Sequence, residues 1–188
     1  MKEKCNVFLL CIMLLFTAIA ANATQIWNGT SKVPWTKGSG TESDPYLIES
    51  PANLAYLAAQ VKAGNTYRYT YFLQTDNIDL NGKSWTSIGS STSVVFSGHY
   101  DGGNKSVIDA KNYIFGYIKS ATIQNITIAG ASTSSLVNVA QDNSTLINCF
   151  NKSRSTLTSV TADGYWHRWN LHQLWQLCKY KMAENEPS

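Results

Sequence analysis

The chain has little of what usually cross-links a small protein or gives it a strong charge. It holds four cysteines in 188 residues, and its formal net charge at pH 7 is only +3. It has no run of basic or acidic residues, which makes nucleic acid and anionic membrane surfaces poor partners. Two of the cysteines lie before residue 12, and the other two are too few for a disulfide scaffold. The fold must therefore be stabilised by its own core.

Residues 1–23 have the pattern of a secretory signal peptide. Two lysines open the chain, an apolar stretch runs from Val7 to Ala20, and Ala21-Asn22-Ala23 is a small-x-small cleavage site. The apolar stretch is shorter than the roughly 20 residues that a membrane span needs. We therefore predict cleavage after Ala23 and a secreted or cell-surface protein with no transmembrane segment in the mature chain.

A helix is predicted at about residues 51–63. Ser50 is a good N-cap, and Pro51 occupies the position where its missing N–H costs little. An apolar stripe follows, and Gly64 ends the helix. We expect residues 24–64, an aromatic lead-in and this helix, to cover the first unit of a repeating structure, whose open end would expose core and strand edges. The stripe consists of Leu54, Leu57, Ala58 and Val61.

Short β-branched segments alternate with Gly, Asn, Asp and Ser turns over residues 65–155. Thr122-Ile-Gln-Asn-Ile-Thr127 aligns with Thr145-Leu-Ile-Asn-Cys-Phe150 at a constant offset. A period of about 23 residues built from short strands indicates a solenoid of stacked coils. Asn125 and Asn148 fall at the same phase of the repeat. Because Asn is a favoured turn residue, we predict that they hydrogen-bond from coil to coil rather than bind a ligand.

The tail, residues 156–188, is atypical, since three of the six tryptophans lie there. One interpretation is a helical or disordered tail, in which four side chains would share a helix face. The other is a frameshift product, because one back-translation of residues 168–181, read one base later, gives Gly/Ser/Asn-rich text like that of the repeats. The nucleotide sequence decides between them. The helix face consists of Leu171, Leu174, Trp175 and Cys178.

Four further segments follow one another in order: Asp44-Pro-Tyr-Leu-Ile48, Trp85-Thr-Ser-Ile-Gly89, Phe96-Ser-Gly-His-Tyr-Asp-Gly102 and Ile114-Phe-Gly-Tyr-Ile118. This order resembles the N-terminal part of GLUG-motif proteins of Bacteroidetes, over about residues 27–153. The resemblance implies an all-β fold with a capping helix, a right-handed parallel β-helix. It also implies an exported, adhesin-like protein that contacts glycans or host and extracellular surface molecules. It implies no catalytic residues.

The sequence carries no catalytic motif: it has no Gly-x-Ser-x-Gly, no His-Glu-x-x-His, no phosphate-binding loop and no Cys-x-x-Cys. We therefore predict a non-enzymatic protein with no catalytic, cofactor-binding or metal residues. The alternatives are a polysaccharide lyase or hydrolase on a β-helix, which would need clustered carboxylates, and a truncated fragment without function. A Ca²⁺ ion between Asp101 and Asn104 is the one conceivable cofactor. The candidate carboxylates, Asp76, Asp79, Asp101 and Asp109, are scattered along turns.

Aromatic residues are the candidates for ligand contact, because their faces stack on the apolar C–H surface of sugar rings. Tyr67, Tyr69 and Tyr71 alternate, so in a strand all three would share one face. An outward face would make an exposed aromatic ladder. An inward face would be core beneath the helix, and this is the more usual fate of large aromatics. With Trp85, these three tyrosines are the predicted glycan contacts.

Overall fold

The computed structural model describes residues 24–131 and 135–152 of the chain. Within these residues the protein is mostly parallel β-sheet with one short helix. The sequence-based prediction of an all-β fold with a helix near its start is therefore confirmed. The predicted signal peptide and the predictions for the tail lie outside the described residues.

Two sheets contain all the strands of the described residues, and every strand pair is parallel. The smaller sheet pairs β6 (Phe115–Lys119) with β8 (Val137–Gln141). The larger sheet has seven strands: β1 (Gln25–Ile26), β2 (Tyr46–Ile48), β3 (Tyr71–Gln74), β4 (Ile78–Asp79), β5 (His99–Ile108), β7 (Thr122–Ala129) and β9 (Thr145–Asn151).

The strand register stacks equivalent residues in rows. Tyr71 pairs with His99, His99 with Thr122, and Thr122 with Thr145. The last pairing confirms the offset between the two aligned segments that was read from the sequence. The step from Tyr71 to His99 is longer, because additional turns separate β3 from β5. The rows are thus in register although their connections differ in length.

The corner between the two halves of β5 and β7 is built from asparagine and glycine. Asn125 and Asn148 both have the left-handed backbone, with φ of 52° and 51°. Asn148 Nδ2 donates to Asn125 Oδ1 at 3.1 Å, and Asn125 Nδ2 donates to both carboxylate oxygens of Asp101 at 3.1 and 3.2 Å. The predicted hydrogen bonding between stacked asparagines is confirmed, and a carboxylate begins the stack.

Helix α1 (Pro51–Lys62) forms where the sequence predicts it, within one residue. The hydroxyl of Ser50 accepts the Asn53 N–H at 3.2 Å and so satisfies one of the open donors of the first turn. Gly64 follows the helix with a φ of 103°. The apolar stripe is fully buried against the first strands, as predicted: Leu54, Leu57, Ala58 and Val61.

The core lies between the two sheets and beneath α1 as one buried cluster. Phe96 joins its parts, since its ring centroid lies 6.0 Å from that of Phe72 in β3 and 5.5 Å from that of Phe115 in β6. Trp35 of the lead-in packs on Phe72 from the other side, at 5.4 Å. Side chains of both sheets thus share one interior.

Among the described strands, β9 forms one edge of the larger sheet. In the part of the chain that the structure describes, β9 pairs with β7 alone. Ile147 and Phe150 remain 38% and 45% exposed there. Among residues 24–131 and 135–152, no helix has the length and apolar character needed to cross a membrane.

Candidate functional site

The outer face of β3, β5 and β7 carries the candidate site. Side chains alternate along each strand, so Phe72, Tyr100 and Ile123 point into the core and are at most 1% exposed. The residues on either side of them point outward and lie in two neighbouring rows. One row holds Tyr71, His99 and Thr122, and the other holds Leu73, Asp101 and Gln124.

A surface groove of 540 Å³ lies over these rows. Its wall is the loop before β2, which contributes Glu42 and Pro45. This loop is a tight turn, because the carbonyl of Asp44 accepts three successive backbone N–H groups from residues 39–41. The Gly40 carbonyl in turn accepts the Tyr71 N–H at 2.9 Å. Backbone hydrogen bonds therefore fix the wall of the groove relative to its floor.

Tyr71 and His99 form an aromatic pair on the floor of the groove. Their ring centroids are 4.3 Å apart, and the ring planes differ by only 9°. The pair exists because the parallel register places these two residues directly beside each other on adjacent strands. Both side chains are only partly buried. Because each ring covers one face of the other, the pair can offer a ligand only its remaining ring faces, its ring edges and its polar ring atoms.

Asp101 is the charged group on the floor, and its hydrogen bonds hold it in place. One carboxylate oxygen accepts the Gly103 N–H at 2.8 Å, and the other accepts Gln124 Nε2 at 2.7 Å. Asn125 donates to both oxygens. The carboxylate is thus oriented by neighbours from two strands, and it fixes the amide of Gln124 at the edge of the groove.

Tyr67 and Tyr69 do not lie on a strand with Tyr71. The prediction that all three share one strand face is therefore wrong. Strand β3 begins only at Tyr71, while Tyr67 and Tyr69 lie in the preceding turn with φ of 57° and 63°. Tyr67 packs on Trp35 and Phe72, and burial, with Tyr56 and Tyr46 nearby, raises its pKa to about 12. Tyr69 is 71% exposed with the guanidinium of Arg68 over its ring. Of the three, Tyr71 alone lines the groove.

The fourth predicted contact, Trp85, is 4% exposed. Its ring packs edge-to-face on Trp27, with centroids 5.5 Å apart, and its indole N–H points to the Ile114 carbonyl at 3.4 Å. The two tryptophans border a second groove of 560 Å³ beside α1. Burial leaves Trp85 very little ring surface for a sugar, and it lies outside the groove on β3, β5 and β7.

Three of the four candidate carboxylates, those of Asp79, Asp101 and Asp109, accept backbone N–H groups of turns. Asp79 accepts the Asn81 N–H at 2.6 Å, and Asp109 accepts the Ala131 N–H at 2.7 Å. Asp76 lies in a separate small pocket with Lys105. Among the described residues, no three His, Cys, Asp or Glu side chains are grouped as metal ligands. A Ca²⁺ ion at Asp101 would compete with the N–H donors that already face its oxygens.

Sequence reasoning did not assign Glu42, Pro45, His99, Thr122 or Gln124 to a ligand groove. The pairing of Tyr71 with His99 was not visible because it needs a longer step than the repeat provides. Glu42 reaches the groove through a loop whose position depends on backbone bonds to β3. The constant offset of the repeat also links His99 to Thr122 and Asp101 to Gln124, so extending the alignment to the preceding strand could have found these pairs.

Comparison with known proteins adds no assignment. No family model, no curated protein and no solved structure matches this chain. The functional argument therefore depends on the geometry of the groove and on the sequence patterns described above.

Proposed function

We propose that this chain is an exported, non-enzymatic protein of the secreted or cell-surface class that contacts glycans through the groove on β3, β5 and β7. In this proposal it is adhesin-like and similar to the GLUG-motif proteins. The signal-peptide pattern of residues 1–23 supports export. The candidate lyase or hydrolase activity is not favoured, because Asp79, Asp101 and Asp109 each accept N–H groups of nearby turns.

The proposed architecture is a right-handed parallel β-helix. Three observations support it: every strand pair is parallel, β7 and β9 pair in the register of the sequence repeat, and the side chains of two sheets share one core. Isolated parallel bridges extend the smaller sheet beyond β6, because Ile88 pairs with Phe115 and Phe96 pairs with Ile118. A chain that visits the same sides in the same order each time would stack such rows as a solenoid.

The observation that carries the glycan proposal is the outward Tyr71–His99 pair. Sugar rings present apolar C–H faces, which stack on aromatic rings, and hydroxyl groups, which need hydrogen-bond partners. The groove supplies both, because the aromatic pair lies in the row next to Asp101 and Gln124. Adjacent strands are about 4.8 Å apart. Three strands would therefore offer contacts along a chain of sugar units rather than to one sugar alone.

The test is affinity gel electrophoresis of the mature protein in gels that contain one soluble polysaccharide each, such as β-glucan, xylan, galactomannan or polygalacturonate. We expect at least one polysaccharide to retard the wild-type protein. Tyr71→Ala and His99→Ala should each reduce the retardation, by about fivefold to tenfold in dissociation constant if stacking contributes about 1–1.5 kcal/mol.

The matched control is Tyr69→Ala. Tyr69 is an exposed tyrosine two residues from Tyr71 but outside the groove, so its removal should leave retardation unchanged. Equal losses in Tyr69→Ala and Tyr71→Ala would refute the assignment of the groove. The absence of retardation in every gel would refute the glycan proposal itself.

A further inference from the structure

We propose that the groove selects uncharged glycan chains and discriminates against chains that carry carboxylates. This inference rests on the proposed glycan contact and adds the chemical class of the ligand. It follows from the charges and polar groups that the fold brings to the floor and to the wall of the groove.

The formal charges in the groove are all negative. The floor holds the Asp101 carboxylate, and the wall holds Glu42. None of the described residues that line the groove is Lys or Arg. A carboxylated sugar is normally bound by Arg or Lys, because these residues supply charge-assisted hydrogen bonds. Here a carboxylate on the ligand would meet two like charges and no Lys or Arg.

The fold also holds one of these charges in position. Asp101 accepts hydrogen bonds from Gly103, Gln124 and Asn125, so its carboxylate cannot turn away from the groove without breaking several bonds. Hydrogen bonds to an ionised acceptor are stronger than those between neutral groups. The negative charge is therefore a fixed feature of the floor, whereas Glu42 lies in the exposed loop of the wall.

The remaining groups suit neutral sugars. Tyr71, His99 and Pro45 offer ring and apolar surface, and the hydroxyl of Thr122 and the amide of Gln124 are uncharged polar groups. The exposed Glu42 carboxylate can also accept hydrogen bonds from sugar hydroxyls. The same charge that repels an acidic chain would thus help to bind a neutral one.

The experiment compares a neutral polysaccharide with its C6-oxidised form, in which primary alcohols have become carboxylates. The backbone is otherwise the same, so the comparison isolates charge. The probe is β-glucan or galactomannan, whichever retards the protein more, because their hexose units carry the C6 primary alcohol that xylan lacks. Binding is measured by isothermal titration calorimetry at low salt and at high salt. At low salt we expect the oxidised chain to bind at least about fivefold more weakly, and the difference to shrink at high salt.

Glu42→Lys is the diagnostic variant, because Glu42 is exposed and its replacement should not disturb folding. It should bring the affinities for the two chains to within about twofold of each other at low salt, or reverse their order. The matched control is Glu49→Lys, since Glu49 pairs with Lys37 outside the groove. That variant should keep the wild-type preference.

Two results separate the failure of this inference from the failure of the proposed function. If the oxidised or another acidic chain binds more tightly than the neutral one, and Tyr71→Ala abolishes that binding, the groove binds glycans but the inferred selectivity is wrong. If neither neutral nor acidic chains bind, both the inference and the proposed function are wrong.

Discussion

The two faces of the β3–β5–β7 row differ in what holds their residues in place. On the inner face, Phe72, Tyr100 and Ile123 are at most 1% exposed and pack on the aromatic and aliphatic core. On the outer face, Tyr71 and His99 stack in the groove over the same strands. Neighbouring residues of one strand therefore have different roles: the inner ones stabilise the fold, and the outer ones are available for a ligand.

The largest expected difference in stability between the two faces comes from removing two adjacent aromatic residues of β3, one from each face. Phe72→Ala should lower the free energy of unfolding by about 3–5 kcal/mol, because it leaves a cavity between Trp35 and Phe96. Tyr71→Ala should lower it by no more than about 1 kcal/mol. Urea unfolding followed by circular dichroism measures both. Similar losses in the two variants would contradict the division between the faces.

The next largest loss of stability is expected from substitutions at the corner between the two halves of β5 and β7. Asn125→Ala should cost about 2–3 kcal/mol, because it removes the bonds to Asp101 and to Asn148 and forces alanine into a left-handed backbone. Asn125→Gly keeps that backbone accessible, so it should cost only about 1 kcal/mol. Thermal unfolding of the two variants measures the difference. An equal cost would mean that backbone conformation does not contribute at this corner.

A smaller loss of stability is expected when the buried hydroxyl of Tyr100, on the inner face, is removed. Tyr100 donates to Gln74 Oε1 at 2.9 Å, and Gln74 is itself 1% exposed. Tyr100→Phe keeps the ring but leaves this acceptor without its donor, so we expect a loss of about 1–2 kcal/mol with unchanged glycan affinity. Unfolding by urea and gel retardation measure the two quantities. A loss of affinity without a loss of stability would assign Tyr100 to the ligand instead of the core.

Alkaline pH tests the inner face separately, since Tyr100 is fully buried there and the Cys149 thiol is partly buried against the same core. Burial raises the pKa of Tyr100 above its ordinary value of 10.0, and it raises that of the Cys149 thiol from 9.0 to about 12. In the unfolded chain these groups ionise near pH 9–10, while the folded chain keeps their protons. The unfolded state then binds fewer protons, so their contribution to stability is complete below pH 9 and is lost as the pH rises towards 12.

The expected result is a melting temperature that falls above about pH 9, with a shallower fall in Tyr100→Phe. Tyr69→Phe is the matched control, because Tyr69 is exposed, and it should follow the wild-type curve. Differential scanning calorimetry from pH 7 to pH 11 measures all three proteins. A steeper fall in Tyr100→Phe than in the wild type would contradict the assigned cause.

Local signals in the sequence predicted much of this fold. Ser50 and Pro51 predicted the start of α1, and the constant offset of the repeat predicted both the pairing of Thr122 with Thr145 and the stacking of Asn125 on Asn148. These features depend on neighbouring residues or on a constant repeat. Asp101, which the sequence pattern places among the carboxylates scattered along turns, does accept a turn N–H, that of Gly103.

The groove could not be predicted in the same way, because it depends on tertiary contacts. The turn with Tyr67 and Tyr69 is held by backbone bonds from the segment just before β5, such as that from Ser97 N–H to the Thr66 carbonyl at 2.8 Å. It also requires glycine at position 98, where a Cβ atom would lie 2.8 Å from the Tyr67 carbonyl oxygen. An alternating pattern of tyrosines gives no indication of such a constraint.

The most direct test of the central claim is to map a bound glycan by nuclear magnetic resonance. The ¹H–¹⁵N spectrum of the mature protein would be titrated with oligosaccharides of the neutral polysaccharide that retards it most in gels. We predict shifts concentrated at the outer rows of β3, β5 and β7, at Tyr71, His99, Thr122 and Gln124, and no comparable shifts at Tyr69 or Trp85. Shifts centred on the groove beside Trp27 and Trp85, or spread evenly over the surface, would contradict the account.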